Sequence, residues 1–216
     1  MTQVKQVIFD MDGLMFDTER LSLECWMQAG KTLGRAVKRE AFRETVGRDI
    51  ADARQIVREH LGEDFPFEKA RRLRDKYLLE YVEEHGTPIK KGLLELLDYL
   101  DRAGIRKVVA TSTEEQRASR IIYSAGLQGR FDNVVYGNMV EKGKPFPDIF
   151  LKAAGELPPA ACLVLEDSPA GVEAACRAGM PVILISDLVE PEEAVICMCA
   201  ARLESLLDVI DYICMG

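Results

Sequence analysis

Histidine is scarce in this 216-residue chain: only His60 and His85 occur, neither stands in a pattern with a partner, and both read as structural. Positive charge is also in deficit, with 28 Lys and Arg against 36 Asp and Glu and a formal net charge of −8. Phosphate backbones reward clustered Lys and Arg, so this balance argues against a general nucleic-acid binder. A small phosphorylated substrate needs only a local positive spot and stays allowed. Long apolar runs are missing from the N-terminus, where only Val7, Ile8 and Phe9 precede the first acid, so a secretory signal or a membrane span is not expected there. A cytoplasmic protein with no membrane partner follows as the expectation, and a monomer is expected. The six cysteines (25, 162, 176, 197, 199 and 214) are even in number, but a chain this long without a signal is a poor candidate for a disulfide framework. Cys197 and Cys199 are separated by one residue with no nearby His, which is poor zinc spacing; buried, reduced thiols are expected.

With 48% hydrophobic and 30% charged residues the chain reads as an ordinary globular protein, long enough for one substantial core or one core plus a smaller unit. Its organising stretch is Val7 to Phe16, V-I-F-D-M-D-G-L-M-F. Val7, Ile8 and Phe9 lack polar alternation, as in a strand buried on both faces of a parallel sheet. The run stops at Asp10, Asp12 and Gly13, which places two acids at a strand end, where open α/β sheets bind ligands. Two carboxylates ~4 Å apart repel by about 4 kcal/mol at an effective dielectric of roughly 20, and a metal ion is the obvious compensation. Taken alone, Asp-Met-Asp-Gly reads equally well as a turn.

From Asp17 to about residue 87 strand signals are absent and helical ones continuous. Leu21, Cys25, Ala29 and Leu33 form one stripe, with Gly34 as its stop; Ile50, Ala53, Val57 and His60/Leu61 form a second; Ala70, Leu73, Tyr77 and Tyr81 form a third, ending near Gly86-Thr87-Pro88. A short helix is expected over 38–46, with a break at Gly47. The segment reads as a small helical bundle inserted after the first strand.

After Pro88 a joint recurs: Ala103-Gly104-Ile105, Ala125-Gly126-Leu127 and Ala178-Gly179-Met180, each a glycine helix cap leading into a strand. Strands are expected over 107–111, 133–136, 162–166 and 182–185, and their alternation with helices argues for a parallel sheet covered on both faces. Ser112 with Glu115, or Thr113 with Gln116, spells a capping box; Ser168-Pro169 spells a cap before Pro at the first helical position, and Pro147 does the same for a helix over 148–156. A closing amphipathic helix is expected over 205–212, and 191–201 reads as helical.

In a parallel sheet the strand ends converge. Asp10 and Asp12, Thr111 and Ser112, the loop Glu141 to Pro145, and Glu166-Asp167 would then gather acids, a hydroxyl and a lysine on one edge, amounting to a metal and phosphate site. Such oxygen donors suit Mg²⁺ better than zinc.

The motifs F-D-M-D-G at 9–13, V-V-A-T-S at 108–112, G-K-P-F-P-D at 143–148 and L-E-D-S-P-A-G-V-E-A-A at 165–175, followed by Ala178-Gly179-Met180, resemble in order the haloacid dehalogenase superfamily. The branch they resemble is that of β-phosphoglucomutase-like phosphatases. The resemblance implies a Rossmann-like, doubly wound α/β core over 1–16 and 88–216 with an inserted helical (C1-type) cap over 17–87. It implies that Asp10 is the nucleophile, forming an aspartyl phosphate, and that Asp12 protonates the leaving oxygen and then activates water. Thr111 would hydrogen-bond the phosphoryl group, and Lys144, before a typically cis Pro145, would hold that group and Asp10 by charge. Mg²⁺ would be held by the Asp10 side chain, the Asp12 carbonyl, Glu166 and Asp167. Gly13, Ser112 and Arg48 join as contacts to phosphate or substrate. For Ser112 a helix cap and a phosphate contact predict the same geometry, and Arg48 reads equally as a solvated helix-start arginine.

The expected activity is a Mg²⁺-dependent phosphatase acting on a small phosphorylated metabolite. The sugar mutases of this branch carry a histidine ten residues after the second aspartate, where this chain has Ser22, and an arginine three residues after the cap-loop glycine, where it has Ile50. Both departures weaken a mutase. A phosphorylatable receiver-like switch is disfavoured by the D-x-D-G pairing and the helical insertion.

Overall fold

The structure, a computed structural model, describes residues 4–45, 50–187 and 191–215. Its strands are β1 (Gln6–Phe9), β2 (Arg106–Ala110), β3 (Asn133–Val135), β4 (Cys162–Glu166), β5 (Val182–Leu184) and β6 (Ala201–Arg202). All pairs are parallel, in the order β3-β2-β1-β4-β5-β6. The chain leaves β1 to one side for β2 and β3, then returns to the other side for β4, so the reversal of strand order falls between β1 and β4. In such sheets the crevice beyond those two strand ends is the ligand site.

The helices are α1 (Thr18–Thr32), α2 (Arg39–Arg43), α3 (Ile50–Leu61), α4 (Phe67–His85), α5 (Leu93–Ala103), α6 (Glu115–Ser124), α7 (Asp148–Ala154), α8 (Pro169–Arg177), α9 (Glu193–Ile196) and α10 (Asp208–Met215). Because side chains alternate along a strand, Val7, Phe9, Val109 and Leu165 join α5, α6 and α10 on one face of the sheet. Ile8, Val108, Val164 and Val182 join α7 and α8 on the other. The fold is therefore an α/β Rossmann-like, doubly wound sheet.

Helices α1 to α4 stand between β1 and α5 and gather an apolar cluster of their own around Trp26, Phe42, Phe65 and Phe67. The Trp26 ring stacks on Phe42 at 4.3 Å between centroids. Two linkers join this unit to the sheet and pair with each other: Asp17 N–H donates to Pro88 O at 2.9 Å and Lys90 N–H to Met15 O at 2.9 Å. Cys25, Leu78 and Val82 extend the other way, into the cluster beneath the sheet. The inserted helices thus rest on the edge of the core as well as hanging from the linkers.

Several details differ from expectation. The buried stripe of α4 runs through Ala70, Leu78 and Val82, whereas Tyr81 is 42% exposed. The i, i+4 position between Ala70 and Leu78 is Arg74, whose side chain is only 13% exposed. Residues 191–201 are not one helix: α9 stops at Ile196, and Ala201 and Arg202 form β6. The edge of β5 drives this change, since Val182 and Leu184 carbonyls accept from the N–H groups of Ala200 and Leu203 at 2.8 and 2.9 Å. Pro147 precedes α7 as its cap residue instead of starting it, and the closing helix begins three residues later than expected, at Asp208. All cysteines among the described residues are free thiols, but Cys197 and Cys214 are exposed. No helix among the described residues is long and apolar enough to cross a membrane.

Because Trp26 anchors a cluster separate from the sheet, Trp26→Ala should cost ~3–5 kcal/mol locally. Hydrogen exchange should show lost protection in α1 and α4 with β1 and β4 unchanged; a uniform loss would contradict separate cohesion of the inserted helices.

Candidate active site

Parallel register puts Phe9 level with Val109 and Leu165, so Asp10 emerges beside Ala110 and Glu166. Into this crevice the loop after β3 brings Lys144, whose peptide to Pro145 is cis. The Lys144 ammonium bonds the Asp10 carboxylate, and it donates to Glu166 Oε1 at 2.5 Å and to Ala110 O at 3.3 Å. Its side chain is 6% exposed, Glu166 is fully buried and Asp10 nearly so. Burial would strip the lysine of its proton, but the two carboxylates outweigh it and hold the group charged.

Glu166, an expected metal ligand, accepts several hydrogen bonds here. Oε1 takes Lys144; Oε2 accepts from Asp167 N–H at 2.9 Å, Ser168 N–H at 3.0 Å and Ser168 Oγ at 3.0 Å. Ser168 in turn caps α8 as its sequence spelled, accepting from Gly171 N–H at 3.1 Å, with Pro169 at the first helical position. Gly171 is required here, because a Cβ would fall 1.8 Å from Glu166 Oε1.

Asp10 and Asp167 accept fewer hydrogen bonds than Glu166 and are carboxylates that could hold a cation. Burial pushes the Asp10 carboxyl up to about 8 against the pull of Lys144, with Glu166 adding to the rise. Burial, then Asp10 and Glu166, raise Asp167 well above the ordinary carboxylate range. Gly13, at φ +86°, lets Asp167 lie against the turn: a Cβ there would meet Asp167 Oδ2 at 2.1 Å. A buried Asp10 and a half-buried Asp167 fit a hard divalent ion such as Mg²⁺, which takes one or two carboxylates and completes its shell with water and phosphate. Among the described residues no three His, Cys, Asp or Glu side chains form a ready-made cage.

Asp12 sits differently from Asp10. Thr18 Oγ, in the first turn of α1, donates to its Oδ1 at 2.7 Å, and Thr113 Oγ, after β2, donates to its Oδ2 at 2.7 Å. The expected capping boxes at α6 are therefore absent: Glu114 is the cap residue and offers no side-chain bond. Thr113 serves Asp12 instead, because a bond to a carboxylate outweighs a neutral cap. Thr111 is buried, and its hydroxyl oxygen accepts from Thr113 N–H at 3.1 Å, leaving its own O–H to donate. Ser112 is exposed on the same loop. Arg48 and Gly47 lie outside the described residues.

Residues 7–185 match the haloacid dehalogenase-like hydrolase family. The chain belongs to that family. It is 30% identical over 184 residues to the phosphorylated carbohydrates phosphatase of Thermotoga maritima, covering 82% of each chain. It is 31% identical over 193 residues to a probable pseudouridine-5′-phosphatase of Drosophila melanogaster, covering 86% of this chain and 83% of that one. A solved structure of a β-phosphoglucomutase assigned in Thermotoga maritima superposes with a TM-score of 0.80 at 27% identity, covering 97% of this chain and 99% of that chain. This haloacid dehalogenase-like hydrolase is thus an enzyme with phosphatases among its relatives.

Sequence reasoning missed Thr18, Thr113, Glu19 and Arg74. Thr18 and Thr113 carried a signal only in hindsight of register, as hydroxyls flanking the turn. Glu19 lies over that turn, its Cγ 3.5 Å from where a Gly13 Cβ would stand, and burial with Asp12 pushes its carboxyl up to about 7. Thr113→Val should free one oxygen of Asp12 and lower kcat of this hydrolase by about tenfold or more, a part of the 10²–10⁴ that acid–base groups contribute. Steady-state kinetics checks this; an unchanged kcat would remove Thr113 from the site.

Proposed function

We propose that the protein is a Mg²⁺-dependent phosphatase that hydrolyses a small phosphorylated metabolite through an aspartyl phosphate on Asp10. The observation that carries this reading is the pairing of a buried Lys144 ammonium with Asp10 at the β1–β4 crevice, one turn from an Asp12 held by two hydroxyls. One Asp10 oxygen attacks phosphorus as the bond to the substrate oxygen breaks, and Asp12 gives that oxygen its proton. Asp12, now ionised, takes a proton from water, whose oxygen attacks the phosphorus of the acyl phosphate; inorganic phosphate leaves and Asp10 is restored. Lys144 offsets charge on the phosphoryl group, and Thr111 O–H donates to it. Asp10, Asp167 and the Asp12 carbonyl would hold Mg²⁺, which supplies charge neutralisation when bound. The helices over 17–87 serve as a cap that controls access of water, with Thr18 linking their first turn to Asp12.

A mutase needs a sugar hydroxyl, not water, as acceptor. Ser22 stands where the mutases carry histidine, and its hydroxyl accepts from Arg74 Nη1 at 3.4 Å, so no imidazole is present to manage that hydroxyl's proton.

Asp10→Asn should abolish phosphate release from a panel of phosphorylated metabolites assayed with Mg²⁺; retained turnover would overturn the mechanism. With β-glucose 1-phosphate and a bisphosphate primer, free phosphate should form faster than glucose 6-phosphate, and the reverse order would establish the mutase. The metal has a separate readout. Between its ordinary value of 3.8 and about 8, Asp10 keeps in the folded chain a proton that the unfolded chain has lost, so metal-free stability falls as pH rises through that window. Mg²⁺ competes with this proton, so the rise in Tm on adding Mg²⁺ should be larger at pH 8 than at pH 5.5. No rise at either pH would remove the metal from the site.

A further inference from the structure

Two arginines face each other beside the reacting groups without being used by them. Arg74 comes from α4 of the inserted helices and Arg117 from the first turn of α6 in the core. Their side chains are 13% and 22% exposed. Both approach a single oxygen, Asp75 Oδ1, at 3.4 and 3.2 Å, and that oxygen accepts no hydrogen bond from either. The Nε of each is buried with no hydrogen-bond partner among the described residues. Arg74 lies over the Trp26 ring at 5.2 Å and touches Ser22 Oγ at 3.4 Å. Glu19, the other acid between the pair and Asp12, accepts no hydrogen bond from either guanidinium among the described residues.

A guanidinium carries five donors in a rigid fork, and burying one normally requires those donors to be spent. Here two forks converge, repel each other and leave donors idle; burial first, and then their mutual repulsion, lower Arg74 to about 10. The place is specific. Thr113, which holds Asp12, lies one turn before Arg117, and Ser22 lies one turn after Thr18, which also holds Asp12. A group bound between the forks would therefore sit on the Asp12 side of the crevice, where the leaving oxygen of the substrate continues into the rest of the molecule.

We propose that Arg74 and Arg117 recognise a second anionic group, a carboxylate or a phosphate, at the non-reacting end of the substrate. The planar fork matches either anion with paired N–H donors. This would explain an arginine inside the otherwise apolar Ala70, Leu78, Val82 stripe of α4. It also gives the substrate the task of joining the inserted helices to the core, since one fork belongs to each. The proposal rests on the phosphatase reading and names the substrate class within it.

The test compares esters that differ at the far end: glycerol 3-phosphate, which is neutral there, 3-phosphoglycerate, which ends in a carboxylate, and fructose 1,6-bisphosphate, which ends in a phosphate. The wild-type protein should show kcat/KM at least tenfold higher for one of the two anionic-ended esters than for glycerol 3-phosphate, and which one identifies the anion. Arg74→Gln and Arg117→Gln should each lower that ratio tenfold or more, mainly through KM, and Arg74→Lys and Arg117→Lys should restore part of it. A wild-type ratio at or below one overturns the proposal. So does an equal fall for all three esters in the Gln variants with no rescue by Lys, the behaviour of a pair that merely clasps the helices to the core. If no ester is hydrolysed by the wild-type protein, the phosphatase reading falls first and the proposal with it.

Discussion

One buried ammonium sets the terms for the rest of the site. Lys144 lies between Asp10 at the end of β1 and Glu166 at the end of β4, with the Ala110 carbonyl of β2 as a third acceptor. A buried charge is costly unless paired and hydrogen-bonded, so this triad is stable only while three neighbouring strands hold their register. The turn after β4 contributes through Glu166, whose second oxygen collects donors from Asp167 and Ser168. Glu166 is thus bonded to Lys144, while Asp167 lies close to the Gly13 turn. Lys144 alone does not satisfy the carboxylates: burial still holds Asp10 at about 8 and Asp167 above the ordinary range. That electrostatic deficit is what the proposed divalent cation would answer.

Asp12 belongs to a second arrangement that spans the two parts of the chain. One hydroxyl comes from α1, at the start of the inserted helices, and the other from the loop after β2. The carboxylate is thus oriented by the same contact that seats the first inserted helix, and the linkers through Asp17 and Lys90 pair directly behind it. Movement of those helices would change what Asp12 is bonded to, and under the proposed mechanism this would couple access to the crevice with the readiness of the acid.

The strand cores were legible because unbroken runs such as Val7 to Phe9 and Cys162 to Leu165 have few other places to go than a sheet covered on both faces. The cap Ser168-Pro169 was legible because its whole signal is local. Lys144, Thr111 and Asp167 were legible only through ordered motifs, since each alone has an unremarkable surface reading. Three features were hidden for physical reasons. β6 is two residues long and exists because β5 leaves backbone groups to pair, which no periodicity in 191–201 reports. Thr113 looked like a helix cap because its competing partner, Asp12, is distant in sequence. Arg74 falls outside the Ala70, Leu73, Tyr77 and Tyr81 stripe because apolar periodicity passes over a charged residue, while here the guanidinium lies among Trp26, Ser22 and Asp75.

Asp10, and not its look-alike Asp12, is the proposed site of phosphorylation. The most direct measurement is an acid quench of the enzyme during turnover of a good substrate, followed by borohydride reduction, which converts an acyl phosphate on aspartate to homoserine, and mass spectrometry of the peptide containing residues 10 and 12. Homoserine is expected at position 10 alone. Homoserine at position 12, or an unmodified peptide under conditions where a known acyl-phosphate enzyme is trapped, would contradict it.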